Sequence, residues 1–419
     1  MSALLQTNFR AAKTSFTGVF QSMTSKQITL INVASGQYEA NAVVNAETTG
    51  VDLLGHEWGV QMTRLQGGPS DGVDLIQLNN GHLTLSILPT RGMGVWKAEC
   101  GELPLQWDSP VQHPVHPSLV DQSRRSGIGW LDGFNELVCR CGLGWHGAPG
   151  TDTQRDEAGN VLSEQFLPLH GRIANLAAHQ VFLNVDDNGL ISITGVVDET
   201  SVFGERLRLT SVLSTQAGSS TFAIHDTLTN IGGTSAEAEM LYHCNFGTPL
   251  LGEGSTFHTA ANRVVPRDAR AAAGLDNWET FQGPTAGYAE QVYFVAPVSD
   301  NSGNGLAVLR SPDGRTALAL RFETASLPWF TLWKNTQATE DGYCCGLEPS
   351  SSLPNNREFE REHGRVLTLP PNDSVNFRLH FQVTESVGQT QNIVDEVQQL
   401  QQQCNRTTES GPAKELAPG

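Results

Sequence analysis

Basic charge is scarce in this chain. Lysine and arginine total 26 against 44 aspartates and glutamates, a formal net charge of −18 over 419 residues. The field around such a molecule repels nucleic acid and anionic membrane surfaces, and no basic stripe offsets it. Long apolar runs are missing too. No stretch approaches the ~20 residues that a membrane-spanning helix needs, and the opening MSALLQTNFRAAKTSFTGVF lacks the apolar centre of a secretory signal. The first acidic residue is Glu39, preceded by Arg10, Lys13 and Lys26, so an organelle-targeting leader stays open. Paired cysteines are absent: Cys100, Cys139, Cys141, Cys244, Cys344, Cys345 and Cys404 are odd in number and lack the two-residue gaps of a zinc ribbon. Reduced thiols in a cytoplasmic protein fit that pattern best. Helical periodicity is nearly absent as well, and NIVDEVQQLQQQ (392–403), with Ile393, Val397 and Leu400 on one stripe, is its one convincing instance.

What the chain has instead is alternation. LTLSI (83–87), LRLTS (207–211) and VNFRLHFQV (375–383) place apolar residues at every second position, as half-buried strands do. DDNG (186–189), NIGG (230–233) and SPDG (311–314) punctuate the gaps as turns. With 38% hydrophobic residues the chain can bury a large core. The expectation is an all-β, mostly antiparallel protein built as one large sandwich with a short C-terminal helix. Residues 1–45, poor in alternation, read as an N-terminal extension; residues 46–388 read as the β domain; residues 389–419 read as the helix followed by a disordered tail.

Four stretches carry more Gly, His, Arg and Trp than sheet construction demands: LPTRGMGVWKAECG (88–101), SGIGWLDGFNELVCRCGLGWHG (126–147), LPLHGRIANL (167–176) and MLYHCNFGTPLLGEG (240–254). Their glycines suit backbone that turns tightly or lets a ligand approach. A fifth, GLEPSSSLPNN (346–356), isolates one carboxylate, Glu348, in an uncharged, Ser-rich run.

In order, LHGR, then FAIHDTLTNIGG leading to LYHCNFG, then LEPSSSLPNN resemble the galactose mutarotase (aldose 1-epimerase) superfamily, and in particular an uncharacterised branch, DUF4432-like, with an Arg-Gly-Met-Gly element near its start. The resemblance spans about residues 50–385. It implies an antiparallel β-supersandwich with a small-molecule carbohydrate in an open cleft, and anomer interconversion as the activity. It also implies roles: Glu348 as general base, His243 as general acid, and His170, from the family's His-Gly element, as the residue that hydrogen-bonds the sugar and assists the acid. Arg91 falls where related enzymes place a sugar-binding arginine, and Arg172, Asn245 and Trp333 complete the expected sugar-contacting set. The base takes the anomeric hydroxyl proton while the acid protonates the ring oxygen; the ring opens, C1–C2 rotates, and the ring closes on the other face. With ordinary pKa values of ~4.3 and ~6.5, a glutamate and a histidine can divide this work near neutrality. No metal or organic cofactor is implied, and oligomeric state is undetermined.

This chain also departs from the family pattern. The sugar-binding aspartate between the second histidine and the glutamate has no clear match, although Asp268 and Asp276 lie in that interval. Cys244 and Asn245 stand where the family has Tyr-Phe, and the insertion at 146–160 offers a cap to the cleft. Other chemistries have candidates of their own. His113 and His116 in HPVHP have metal-like spacing but no further ligand in sequence, so a loop is favoured. Cys139 and Cys141 share one strand face, as buried small hydrophobes or as a redox pair. Trp329 and Trp333 suit sugar stacking and core packing equally. A glycoside hydrolase or lyase would want a second carboxylate, for which Glu136 and Asp132 are the candidates. A non-catalytic carbohydrate-binding module would need no acid and base pair at all.

Overall fold

Alternating sequences pair because each strand has one apolar edge to hide, and here they do so on a large scale. The computed structural model describes residues 25–418, in which two antiparallel sheets, one of ten strands and one of fourteen, pack face to face. Residues 1–24, with Arg10 and Lys13 of the leader reading, lie outside the described residues. The ten-stranded sheet includes Gln180–Asp186, Leu190–Thr200, Arg206–Gln216, Thr221–Asn230 and Ser374–Thr384. Along Arg206–Gln216 every second residue is buried, and Phe377, Leu379, Phe381 and Val383 point into the sandwich as the alternation requires. The turn after Gln180–Asp186 closes because the Asp186 carboxylate accepts the backbone N–H groups of Asn188 and Leu190.

The fourteen-stranded sheet carries the chemistry. At its centre lie Trp329–Asn335, Cys344–Ser350, Ala236–Phe246 and Val138–Leu143, hydrogen-bonded in that order. One face of each strand fills the core, through Leu332, Leu347, Met240, Tyr242 and Val138 among others. The sheets are also bolted by a buried ion pair: Arg140 reaches across to Asp226 of the ten-stranded sheet, which also accepts from the Tyr242 hydroxyl at 2.8 Å. Both charges are fully buried, an arrangement sustained only where the remaining donors are satisfied, and Arg140 also donates to Met93 O at 2.7 Å and Ser211 Oγ at 2.8 Å.

Both ends of the chain differ from expectation. Ser25–Asn32, placed by its sequence in a peripheral extension, is a strand of the ten-stranded sheet and pairs with Gln180–Asp186. The helix runs Val387–Gln401, starting earlier than its apolar stripe because the Ser386 side chain caps it, and it lays Ile393, Val394, Val397 and Leu400 on Leu306, Val308, Ala317 and Ala319. The segment after it is not a disordered tail. Thr407–Thr408 pairs with Ala261–Pro266, Leu416 is 3% exposed against Val265, Val292, Phe294 and Leu353, and its carbonyl accepts from Asn355 Nδ2 at 2.9 Å. A polar composition was outweighed by three apolar residues, Ala413, Leu416 and Ala417, that find a ready hydrophobic seat. No helix among the described residues is long and apolar enough to cross a membrane.

Candidate active site

Period-two geometry accounts for the meeting of His243 and Glu348, 105 positions apart in sequence. Pairing of Cys244 with Leu347 and of Leu241 with Ser350 sets a register that places His243 opposite Glu348 on neighbouring strands. Even-numbered residues of Ala236–Phe246 fill the core, so His243 takes the other face, as do Gly346 and Glu348 of the adjacent strand and Thr331 and Trp333 of the next. His243, Glu348, Thr331 and Trp333 line a cavity of about 810 Å³ together with His170, Trp107, Trp130 and Phe134.

His243 Nε2 lies 3.2 Å from Glu348 Oε1, yet off the line of a hydrogen bond, so that Oε1 has no hydrogen-bond partner. Gly346 makes this placement possible. A Cβ at that position would stand 2.3 Å from Glu348 Oε1, so the carboxylate occupies the space that any side chain there would fill. The tautomer of His243 follows from its other nitrogen. Asn245 Nδ2 spends its hydrogens on the carbonyls of Glu136 and His243, leaving Oδ1 to accept from His243 Nδ1 at 2.6 Å. A neutral His243 therefore carries its proton on Nδ1 and leaves Nε2, beside Glu348, unprotonated.

Electrostatics supports the neutral form. The ring is walled by Phe134, Trp333 and Trp130, at centroid distances of 4.9, 5.3 and 6.3 Å. That burial, with the nearby His170 ring, pushes His243 down to about 3. Burial also raises Glu348 well above the usual carboxylate range, helped by Glu290 and opposed by Arg267. Both directions disfavour a separated carboxylate and imidazolium. Burial thus opposes the expected division, carboxylate beside imidazolium.

His170 reaches the cavity from a loop, in the left-handed region at φ 60°, a conformation costly for a residue with a side chain. Gly171, at φ 70°, completes the His-Gly turn, where a Cβ would fall 2.1 Å from Trp145 O. Nδ1 of His170 donates to the carbonyl of His146 at 2.7 Å, so its Nε2 is left to accept. Burial lowers it to about 4, and its ring stands edge-on to His243 with centroids 5.6 Å apart.

The profile of DUF4432, a domain of unknown function, matches residues 70–383. The chain belongs to the DUF4432 family. Among solved structures it is similar to a Klebsiella pneumoniae protein provisionally described as an aldose 1-epimerase, 31% identical, with 93% of this chain and 99% of that one covered at a TM-score of 0.86. A galactose mutarotase-like protein of Clostridium acetobutylicum is 14% identical at TM-score 0.54, covering 78% and 98% of the two chains. Slr1438 of Synechocystis sp. PCC 6803 is 15% identical at TM-score 0.51, covering 74% and 95%. At such identities these two show the fold alone: this DUF4432 protein is a galactose mutarotase-like β-sandwich. Among curated proteins none matches it.

Not every candidate residue reaches the cavity of the DUF4432 protein. Trp333 does, donating Nε1 to Glu290 at 2.7 Å. Arg91 does not: it is 2% exposed, bonded to Glu136 at 2.6 Å and to the carbonyls of Val115 and Gly133. Its role is indirect, since the loop it pins carries Trp130 and Phe134. Asn245 is fully buried and orients His243. Arg172 is half-buried and outside the cavity lining, near Glu199. The hydrolase candidates are also committed elsewhere, Glu136 to Arg91 and Asp132 to Arg124 and Arg125. Cys139 and Cys141 are buried and free, in an apolar cluster with Trp107 and Trp130, and His116 caps a short turn at Ser118. From the insertion, Ala148 lines the cavity, while Gly150–Arg155 and Val161–Leu167 form a hairpin.

Sequence reasoning missed Arg267 and Glu290. They line the wall and bond to each other at 2.8 Å, from ordinary-looking loop sequence with no motif to mark them. Asp268, weighed for the missing aspartate, instead bonds Arg267 at 3.1 Å. A buried chain behind the site was also missed: His146 Nε2 to Ser352 Oγ at 2.8 Å, and Ser352 Oγ donating to Glu239 Oε1 at 2.6 Å. Burial pushes Glu239 up to about 8 and His146 down to about 3.

Proposed function

We propose that this DUF4432 protein interconverts the anomers of a free sugar or sugar derivative by general acid and base ring opening and closure. The observation that carries the reading is the His243–Glu348 pair, 3.2 Å apart inside an aromatic-walled cavity. The ring oxygen and the anomeric hydroxyl are bonded to the same carbon, so an acid and a base that serve them together must themselves be neighbours. Opening takes a proton from one oxygen and gives one to the other, with no net proton gained, which suits an acid and a base set side by side.

Glu348 acts as the base once its proton has crossed to His243 Nε2. A sugar hydroxyl donating to the carboxylate, and a ring oxygen accepting from the imidazolium, supply the hydrogen bonds that favour the charged form. His170, bare at Nε2, accepts from a neighbouring hydroxyl, and Trp333 and Trp130 offer apolar faces to the ring. The sugar itself is not specified by these groups.

The test is Glu348→Gln, assayed by polarimetry or by NMR exchange across a panel of free aldoses and sugar acids. It keeps shape and hydrogen-bonding capacity but cannot take a proton, so the rate should fall by about 10²–10⁴-fold while affinity persists. A wild-type protein that binds sugar yet never speeds mutarotation would leave a carbohydrate-binding module as the better account.

A further inference from the structure

Away from the cavity, three side chains of different donor chemistry meet at one edge of the sandwich. Cys100 ends the strand Gly94–Cys100 and pairs with Leu83, while the Gly101 N–H donates to the His82 carbonyl at 2.9 Å, so backbone pairing fixes His82 beside Cys100. Glu385 comes from the opposite sheet. It follows Ser374–Thr384, and its two carboxylate oxygens stand 3.0 and 2.8 Å from His82 Nε2. The donor atoms of His82, Cys100 and Glu385 all lie within 4.8 Å of one another, and among the described residues no other group of three His, Cys or carboxylate donors is gathered so closely. The thiol forms the floor, with Cys100 1% exposed, under a rim of His82 and Glu385 whose side chains are 34% and 42% exposed. Gly101, at φ 58°, keeps the rim uncrowded, since a Cβ there would approach Glu385 Oε1 to 3.3 Å and His82 Cε1 to 3.4 Å.

We propose that His82, Cys100 and Glu385 form a binding site for a thiophilic divalent cation of the zinc type, with water as the fourth ligand. One sulfur, one imidazole nitrogen and one carboxylate oxygen are the donors such an ion takes, whereas magnesium and calcium call for several oxygens. Bonds of about 2.0–2.3 Å around a tetrahedral ion put donors roughly 3.3–3.8 Å apart, so His82 and Glu385, now 2.8–3.0 Å apart, must open slightly while the Cys100 sulfur, within 4.8 Å of both, closes by at most about 1 Å. Rotation of the two exposed side chains supplies that movement. On binding, the sulfur–metal bond forms as the Cys100 proton leaves to solvent. Because Glu385 follows a strand of the ten-stranded sheet, while Cys100 ends and His82 precedes strands of the fourteen-stranded sheet, the ion clips the two layers together next to the helix Val387–Gln401.

The competing account is a surface ion pair, His82 with Glu385, above an unrelated thiol. Titrating the metal-free full-length protein with Co²⁺ separates the two. The proposal expects a sulfur-to-cobalt charge-transfer band saturating at one equivalent, displaced by Zn²⁺ and lost in Cys100→Ser. It also expects a melting temperature raised by Zn²⁺ and restored by chelator. His82→Gln, at a partly exposed side chain, keeps the test open if Cys100→Ser fails to fold, and it should weaken Zn²⁺ binding at least tenfold. Absence of the band, or a band that survives in Cys100→Ser, or Zn²⁺ affinity unchanged in His82→Gln, overturns the proposal.

Discussion

Gly346→Ala probes the catalytic geometry without touching a functional group. The added methyl would start 2.3 Å from Glu348 Oε1 and 3.2 Å from Trp333 Cβ. Ordinary contact begins at 3.4 Å, so Oε1 must withdraw by about 1 Å, and the free end of a side chain does this readily. The strand itself should tolerate the change. Gly346 has no left-handed φ, and replacing glycine by alanine inside a strand gains about 0.5–1 kcal/mol of backbone entropy, offset by the displaced carboxylate. Catalysis should not tolerate it, because misplacement of a reacting group by about 1 Å costs on the order of 10²-fold. The expected outcome is an unchanged or slightly raised melting temperature, near-normal sugar affinity and mutarotation slowed by about 10²-fold. Combined with Glu348→Gln the effect should vanish, since the carboxylate it displaces is then already inert. A Gly346→Ala protein with a wild-type rate would refute the argument that the position of Glu348 matters to turnover.

Other expectations follow from particular contacts. His243, held near 3 by burial, should give a kcat/KM profile that stays flat through pH 6.5 as acid is added, and an inflection at 6.5 would contradict its environment. The same lowering sets a sign for stability: the unfolded histidine gains a proton below pH ~6.5 and the folded one does not until about 3, so stability falls as pH drops through that window. Denaturant melts of His243→Asn should therefore lose about 2 kcal/mol less than wild type between pH 7 and pH 5. Arg91→Met should destabilise by about 3–5 kcal/mol, because Glu136 is left buried and unpaired, and Arg91→Met/Glu136→Leu should recover most of it; a loss of sugar binding with stability intact would restore Arg91 to the site. Leu416→Ala should cost about 2–5 kcal/mol, whereas an unaffected melting curve would return the C-terminal segment to the disordered class.

The all-β class was legible in the sequence because alternation is local: Phe377, Leu379 and Phe381 share a face whatever they pack against. The helical stripe at Ile393, Val397 and Leu400 was legible for the same reason, and so were His170, His243 and Glu348, each in a stretch whose residues outran the needs of a strand. The Ser-rich run after Glu348 was puzzling in sequence and is plain in space. Ser351 Oγ accepts from Met240 N–H, and Ser352 links His146 to Glu239, so two of the hydroxyls serve a buried polar layer where further charges would be stranded. Position within a long-range assembly was not legible. Arg91 looks the same in sequence whether its guanidinium meets a ligand or Glu136, and Asn245 whether it faces a sugar or a histidine. Arg267, Glu290 and Leu416 carry no local signature, and only the packing of distant segments gives them partners. Sequence alone determined which residues can do acid and base chemistry and the strand period that gives each a face. The tertiary structure decided which faces meet, and through burial it decided which charges are disfavoured, because desolvation depends on everything that closes around a group and not on its neighbours in the chain.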